Sequence, residues 1–468
     1  MSRFFVVGFL CLTALTRATA SELISHPTLG VNKDALGVWY SRQDGWILHI
    51  TSKGIQRYQF SDHYCYPSSS DGPTFMGAIE YQFFKRIDSA TARFDYLEDD
   101  GFAIFDALPA LPKPCSEHLS QSSSEVFEIA VSMFQEFYPR LLKRSPRWYE
   151  LADMHRETLR SDDSETKLYS ALSELIDSLS DSHTKLYAKV DGASRRFQSG
   201  LGNTLSSIRR QNIEQQWLQE LVTQTLDHVL LPGGEQTANE RILWGKLEPN
   251  IGYIQIFTMG GFTTEHQAGT QAWAHAETAY LETLMTRILT ELSNTDALIL
   301  DLSNNRGGYD VIARQLASYF TRAEFDAYQV KNDLDGPVLR TYSVSPSTSV
   351  HYPKPIYLLT SDVTVSGGEI ATLSLKRLAN VVHVGTTTRG SFSTPLAKPL
   401  PNGWYLELSN ELFVDMSGTT HEGSGIAPDI ELTVYDPKAP VESHASCLFQ
   451  LRDIVRKRMA DSGVGLNN

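Results

Sequence analysis

Between about residues 21 and 120, short aromatic-rich runs alternate with turn residues: GVWYS, GWILHI, IQRYQF, AIEYQFFKRI, ATARFDYL and GFAIFDAL. Apolar runs of this length, broken by Asp, Ser, Gly and Pro, predict a series of short strands and so a small β domain over 21–120. The period changes at Ser124. In EVFEIAVSMFQEFYPRLL and SETKLYSALSELIDSLSD the apolar residues recur at helical spacing, and Leu168, Leu172, Leu175 and Leu179 fall on one face, the stripe of a packed helix. A helical region is therefore expected over 121–240. Within it, residues 191–240 are more polar, with one helical stretch around 213–230 and a LPGGE turn; a lid or arm over the core is the expectation there.

From residue 241 the apolar runs 251–257, 297–302, 356–359 and 381–385 read as strands, and the segments 266–292, 311–320 and one opening at Ile370 read as helices. Strand, helix and strand in alternation predict an α/β core over 241–440, a mostly parallel sheet covered on both faces. A hairpin follows in KPLPNGWYLELSNELFVD, where NG marks the turn, and residues 441–468 form a helical tail.

Charge and the ends of the chain narrow the setting. Residues 1–20 carry Arg3, an apolar run and a small-residue ATA, the pattern of a secretory signal and too short to span a membrane. No later stretch is apolar enough for a transmembrane helix, so no integral membrane segment is expected. Setting that segment aside removes Arg3 and Arg17 and takes the formal charge from −14 to −16, a poor surface for nucleic acid. The protein is expected to be exported, periplasmic or extracellular. Of the cysteines left, Cys65 and Cys115 share the β region and are expected to form a disulfide, with Cys447 spare. Without CxxC, HExxH, GxGxxG or GxxxxGK spacing, neither a metal nor a nucleotide cofactor is expected.

Four places could carry chemistry. Ser366, in TVSGGE, falls between a strand and the first turn of a helix, where the helix amino end and the Gly367 amide would face a developing negative charge. The same serine with Glu369 three residues on is equally a capping box. Gly307 and Gly308 follow a strand in LILDLSNNRGG and could present backbone amides as an oxyanion hole, or simply make a tight turn. His183, with Ser182 before it, stands just past a helix end, where a histidine is either a hydrogen-bonded packing residue or a base. Glu422 lies in a glycine-rich loop before the final strand, where most glutamates are solvated.

With LSDSHTKL, LILDLSNNRGG, LLTSDVTVSGGE and EGSGIAPDI in this order, the chain resembles the C-terminal processing peptidase and tricorn protease family of serine peptidases over roughly residues 124–434. The resemblance implies a core like those of crotonase and ClpP, a polypeptide substrate and no cofactor. In one branch of the family a lysine serves as base; here the matching segment GTTTRGSF has Ser391 in its place, and Lys376 and Lys398, the nearest lysines, lie elsewhere, so activity is expected to survive replacement of either. The tricorn-like branch implies a tetrad of Ser366, His183, Ser182 and Glu422, with Gly307, Gly308 and Gly367 at the oxyanion. Two rivals use the same core: a ligand-binding module without catalysis, and an esterase or amidase of small substrates.

Overall fold

The computed structural model describes residues 21–461 apart from 27, 69–79, 99 and 117–118; the expected signal segment, 1–20, lies outside the described residues. Their α/β architecture rests on one principal sheet. Its strands run in the order Glu235–Thr237, Ile242–Glu248, Ile251–Ile256, Ala297–Asp301, Ile356–Thr360, Val381–Gly385, Ile430–Glu431. Every pairing from Ile251 onward is parallel.

The two-residue period of these strands decides what covers each face. Leu298, Leu300, Ile356 and Leu358 pack under the helices Gln271–Glu291, Asp310–Ser318 and Gly367–Leu375. Their neighbours Ile299, Tyr357 and Leu359 face the other way, against the helices Gly202–Arg210, Glu214–Gln224 and Pro440–Asp461. Burying each such side chain stabilises the fold by about 1.5–3 kcal/mol. Trp217 and Leu221 are buried in this second layer, so the helical part of the segment read as a lid is a wall of the core. Lids need weakly packed segments, and this one is anchored by an indole.

The last helix of this layer also reaches the sheet through a polar contact. His444 Nε2 lies 2.8 Å from Asp301 Oδ2, Tyr253 donates to the same oxygen at 2.7 Å, and His444 and Asp301 are both buried. Asp301 closes the strand that leads into the Gly307–Gly308 loop.

The amino-terminal strands form an eight-stranded antiparallel sheet, with Cys65 bonded to Cys115 as expected and Cys447 free and buried. Its core is not its own. Trp39, Trp46, Phe94 and Phe105 belong to the same packed cluster as Val126, Phe134, Leu172 and Leu406, so the β region and the helical region fold around shared side chains. Lys398 joins them further: wholly buried, its ammonium donates to the Asp44 carbonyl and sits 3.8 Å above the Phe137 ring. Its removal to alanine would therefore open a hole at the junction, a structural role that the sequence reading of this lysine did not include.

A four-stranded sheet, in the order Ala193–Gln198, Lys185–Val190, Tyr405–Ser409, Pro395–Pro399, links helical region to core. Lys185 pairs with Glu407 in register and by an ion pair of 2.6 Å. This sheet has one consequence for function. It lays the turn that begins at Asp181 beside the segment that ends at Thr394.

Candidate active site

Ser366 caps the helix Gly367–Leu375 with φ 57° and ψ −123°, a backbone conformation that costs a non-glycine residue about 1–3 kcal/mol. Bonds on both sides hold it there. Its amide donates to the Ser391 carbonyl at 3.0 Å, and its carbonyl accepts from the amides of Glu369 at 2.8 Å and Ile370 at 3.0 Å. The serine is part exposed, whereas every residue of the helix behind it is buried.

Gly307 is pressed against this serine: a Cβ built on it would stand 2.6 Å from the Ser366 Cβ. The amide of Gly307 is already committed to Asn305 Oδ1 at 2.9 Å. Those of Gly308 and Gly367 have no acceptor among the described residues, and a Cβ on Gly367 would stand 3.0 Å from the Gly308 nitrogen. Two unfilled N–H donors thus flank a serine at a helix amino end, the composition of an oxyanion site.

His183 lies in a turn built by its neighbours. The helix Glu165–Leu179 stops at Ser180, left-handed at φ 49°, and Arg144 donates to the carbonyls of Leu179 and Ser180, each at 2.7 Å. Asp181, fully buried, then accepts from the His183 amide at 2.9 Å, from the Thr184 and Ser409 hydroxyls at 2.8 Å, and from Tyr138 at 3.1 Å. Although burial works against ionisation of Asp181, His183, Arg144 and these donors hold its pKa below the usual carboxylate range. Burial, then repulsion from Lys185, brings the His183 imidazole down to about 4, so it is neutral at neutral pH. Glu422 is affected in the opposite sense: burial, then repulsion from Asp181, pushes its carboxyl well above the ordinary value.

The elements carrying these groups converge on Gly390–Ser393. Ser182 Oγ donates to Ser391 Oγ at 3.0 Å. Glu422 Oε2 accepts from the amides of Phe392 at 3.0 Å and Ser393 at 3.3 Å, the His183 ring lies against the Ser393 backbone, and Ser391 holds the Ser366 amide as above. No hydrogen bond joins the His183 ring directly to Ser366, Ser182 or Glu422 among the described residues. Instead, His183 Nδ1 and Glu422 Oε1 are both buried and both without a partner among the described residues. One is a nitrogen able to donate, the other an oxygen able to accept.

Residues 250–432 match the sequence profile of peptidase family S41. This stretch is an S41 peptidase domain. The matched stretch includes Ser366, both glycine turns and Glu422, while His183 lies outside it. Solved structures agree at the level of fold. A candidate peptidase from Parabacteroides merdae superposes with a TM-score of 0.56 at 17% identity, over 72% of this chain and 97% of that one. Mature CPAF in complex with lactacystin gives 0.52 at 13% identity, over 73% and 99%.

With this domain the chain is a hydrolase, and two residues of the candidate site were not singled out from the sequence. Glu369 reaches back to the Ser366 amide at 3.3 Å, as a capping box would. It also accepts from Thr388 Oγ1 and the Gly390 amide at 2.6 Å and from the Ser391 amide at 2.9 Å. Burial pushes this carboxyl up to about 7 against the pull of those donors. The signal for it was local and pointed only to the helix. Asp181 was legible in principle, since an aspartate two residues before an amide it can cap makes an Asx turn.

Proposed function

We infer that this S41 peptidase is exported and cuts peptide bonds with Ser366 as nucleophile and His183 as base. The strained, part-exposed serine between the two unfilled amides of Gly308 and Gly367 carries this reading. Ser366 Oγ attacks the scissile carbonyl carbon while its proton passes to the His183 imidazole, which is neutral and so able to take it. The carbonyl oxygen becomes an oxyanion held by the Gly308 and Gly367 amides, each worth about 3 kcal/mol in such sites. The same imidazole returns the proton to the leaving amine, and water, deprotonated by it in turn, releases the acyl group from Ser366.

The unpartnered Nδ1 of His183 and Oε1 of Glu422 supply the orienting bond. Buried polar atoms are rarely left unpaired, and a bond between these two would satisfy both while fixing the tautomer that frees the other nitrogen for the serine. Ser182, at the head of the same turn, keeps it docked on Ser391. The Cys65–Cys115 disulfide accords with an oxidising compartment.

A serine-directed phosphonate tests the assignment. It should label the protein once, at Ser366, and labelling should be lost in His183→Ala and weakened less in Glu422→Gln. A folded wild type that resists the probe and leaves unstructured polypeptides uncut would favour the ligand-binding use of this fold instead.

A further inference from the structure

Past the carboxyl ends of the strands Ala297–Asp301, Ile356–Thr360 and Val381–Gly385, beside the helices Gly202–Arg210 and Glu214–Gln224, three arginines share too few acids. Arg209 Nε donates to Glu214 Oε2 at 2.8 Å, and Arg306 Nη1 donates to the other oxygen of that carboxylate at 2.8 Å. Arg306 Nε donates to Asn304 Oδ1 at 2.9 Å, and its guanidinium lies 5.7 Å from the centre of the Trp217 ring. Arg389 Nε donates to the Asp362 carbonyl at 2.6 Å, while the Asp362 carboxylate accepts from the Thr204 amide at 2.8 Å, in the helix that carries Arg209. Among the described residues, Glu214 is the one carboxylate within ion-pair distance of these three guanidiniums.

Their spare donors are buried. Arg306 Nη2, Arg389 Nη2, Asn304 Nδ2 and Trp217 Nε1 are shut from solvent and have no partner among the described residues. All four are N–H groups, so each calls for an acceptor. The charges also press on one another: burial, with repulsion from Arg306 and Arg209, brings the Arg389 guanidinium down to about 10 against the pull of Asp362 and Glu369. Water would satisfy such donors and leave the surplus charge in place, whereas an anion answers both.

We propose that these four donors hold a small inorganic oxyanion of the phosphate or sulfate class, which ties the turns on either side of Ser366 to the helical wall. Two guanidiniums and two neutral N–H donors suit an ion with several oxygens, and the crevice beyond the carboxyl ends of parallel strands is where such sheets take ligands. The ion lies apart from the substrate and reaches the nucleophile through backbone. Arg306 directly precedes Gly307, the Asn305 carbonyl accepts from the Val365 amide at 3.1 Å, and the Arg389 amide donates to the Thr364 carbonyl at 3.0 Å. Ser366 is the next residue after this doubly bonded pair. The site stands whether or not Ser366 cuts peptides.

Equilibrium dialysis of the full chain against radiolabelled sulfate tests the site, at an ionic strength held constant with a bulky organic sulfonate. Saturable binding of one equivalent per chain is expected, displaced by inorganic phosphate, with a saturable rise of about 3 °C in the thermal midpoint. Arg389→Gln should weaken that binding about tenfold. Asn304→Asp, which sets a carboxylate among the donors, should abolish it, and serves where the first variant does not fold. At saturating sulfate the wild type should react with the phosphonate about fivefold faster; an unchanged rate overturns the tie to Ser366. A midpoint that climbs without saturating, with no saturable binding to the wild type, is the general salting effect; it overturns the site and assigns these donors to water. Binding that persists undiminished in the variants overturns it as well. A protein that binds sulfate and resists the phosphonate loses only the peptidase reading; one that is labelled and binds no sulfate loses only the anion site.

Discussion

Glu369 accepts from four donors with one carboxylate, and that arrangement needs the charge. A protonated carboxyl would turn an O–H toward one of the groups that now donate to it. Glu369→Gln, which places an amide NH2 there, should lower kcat/KM by about ten- to a hundredfold with little change in KM, because the variant disturbs the setting of Ser366 and not the substrate contacts. The pH profile should show the same group. With its carboxyl up at about 7, Glu369 should give an acid-side limb in kcat/KM near that pH, and the limb should vanish in Glu369→Gln; a limb that persists there belongs to another group. His183, down at about 4, should not limit activity until far lower pH. The two residues act oppositely on stability. The unfolded chain releases the Glu369 proton from about 4.5 upward, so ionising it in the fold costs stability as pH rises from there to about 7. The unfolded chain protonates His183 from about 6.5 downward, so stability falls as pH drops from there to about 4. Ser366, His183 and Glu422 were read as a candidate set from short motifs in a set order, and the structure brings their segments together at Gly390–Ser393 without a hydrogen bond among the three side chains within the described residues. Glu369 was read only as a cap, since its partners at 388–391 are distant in sequence and no local pattern encodes them.

The elements that place these residues differ in how far sequence reveals them. Strands such as Ala297–Asp301 are buried on both faces and read as unbroken apolar runs, so the four central strands of the principal sheet were expected closely, while Glu235–Thr237 and Ile242–Glu248 were not. The strand Lys185–Val190 was missed although it alternates polar with apolar residues as a half-buried strand does, and Ala193–Gln198, largely exposed, carries no apolar run. Yet this pair docks the His183 turn. Turn glycines give a sharper test of placement. Gly307→Ala must fit a Cβ 2.6 Å from the Ser366 Cβ at a backbone φ of 80°, so labelling at Ser366 should fall by two orders of magnitude or so while the fold loses about 1–3 kcal/mol. Equal labelling in that variant would show that the close packing of Gly307 on Ser366 does not set the serine. In the β region, replacing Cys65 and Cys115 together by serine should cost about 2–5 kcal/mol, read as a lower thermal midpoint for the whole protein rather than for a detached β unit, because its core is shared with the helices.

At the scale of the whole molecule, that shared core makes Lys398 a joint. Lys398→Ala should destabilise the fold by about 3 kcal/mol, through a cavity and an orphaned Asp44 carbonyl. Lys398→Met should cost less, because it refills the volume and removes a buried ammonium whose pKa burial has brought down to about 7. A chemical denaturation series separates the two. The helix Pro440–Asp461 offers the complementary case. Without it the buried Asp301 carboxylate loses a hydrogen-bond partner, which costs about 1–3 kcal/mol, beyond the apolar face uncovered on Tyr253, Ile299 and Leu359. A chain stopped after residue 439 should therefore fail to react with the phosphonate. This dependence also sets a clock on biosynthesis. The ribosome delivers Ser366, the glycine turns and Glu422 before it delivers His444, so on this account the loop that follows Asp301 would settle only when that helix arrives. A newborn chain of this design would stay unarmed toward itself until the segment carrying His444 has emerged.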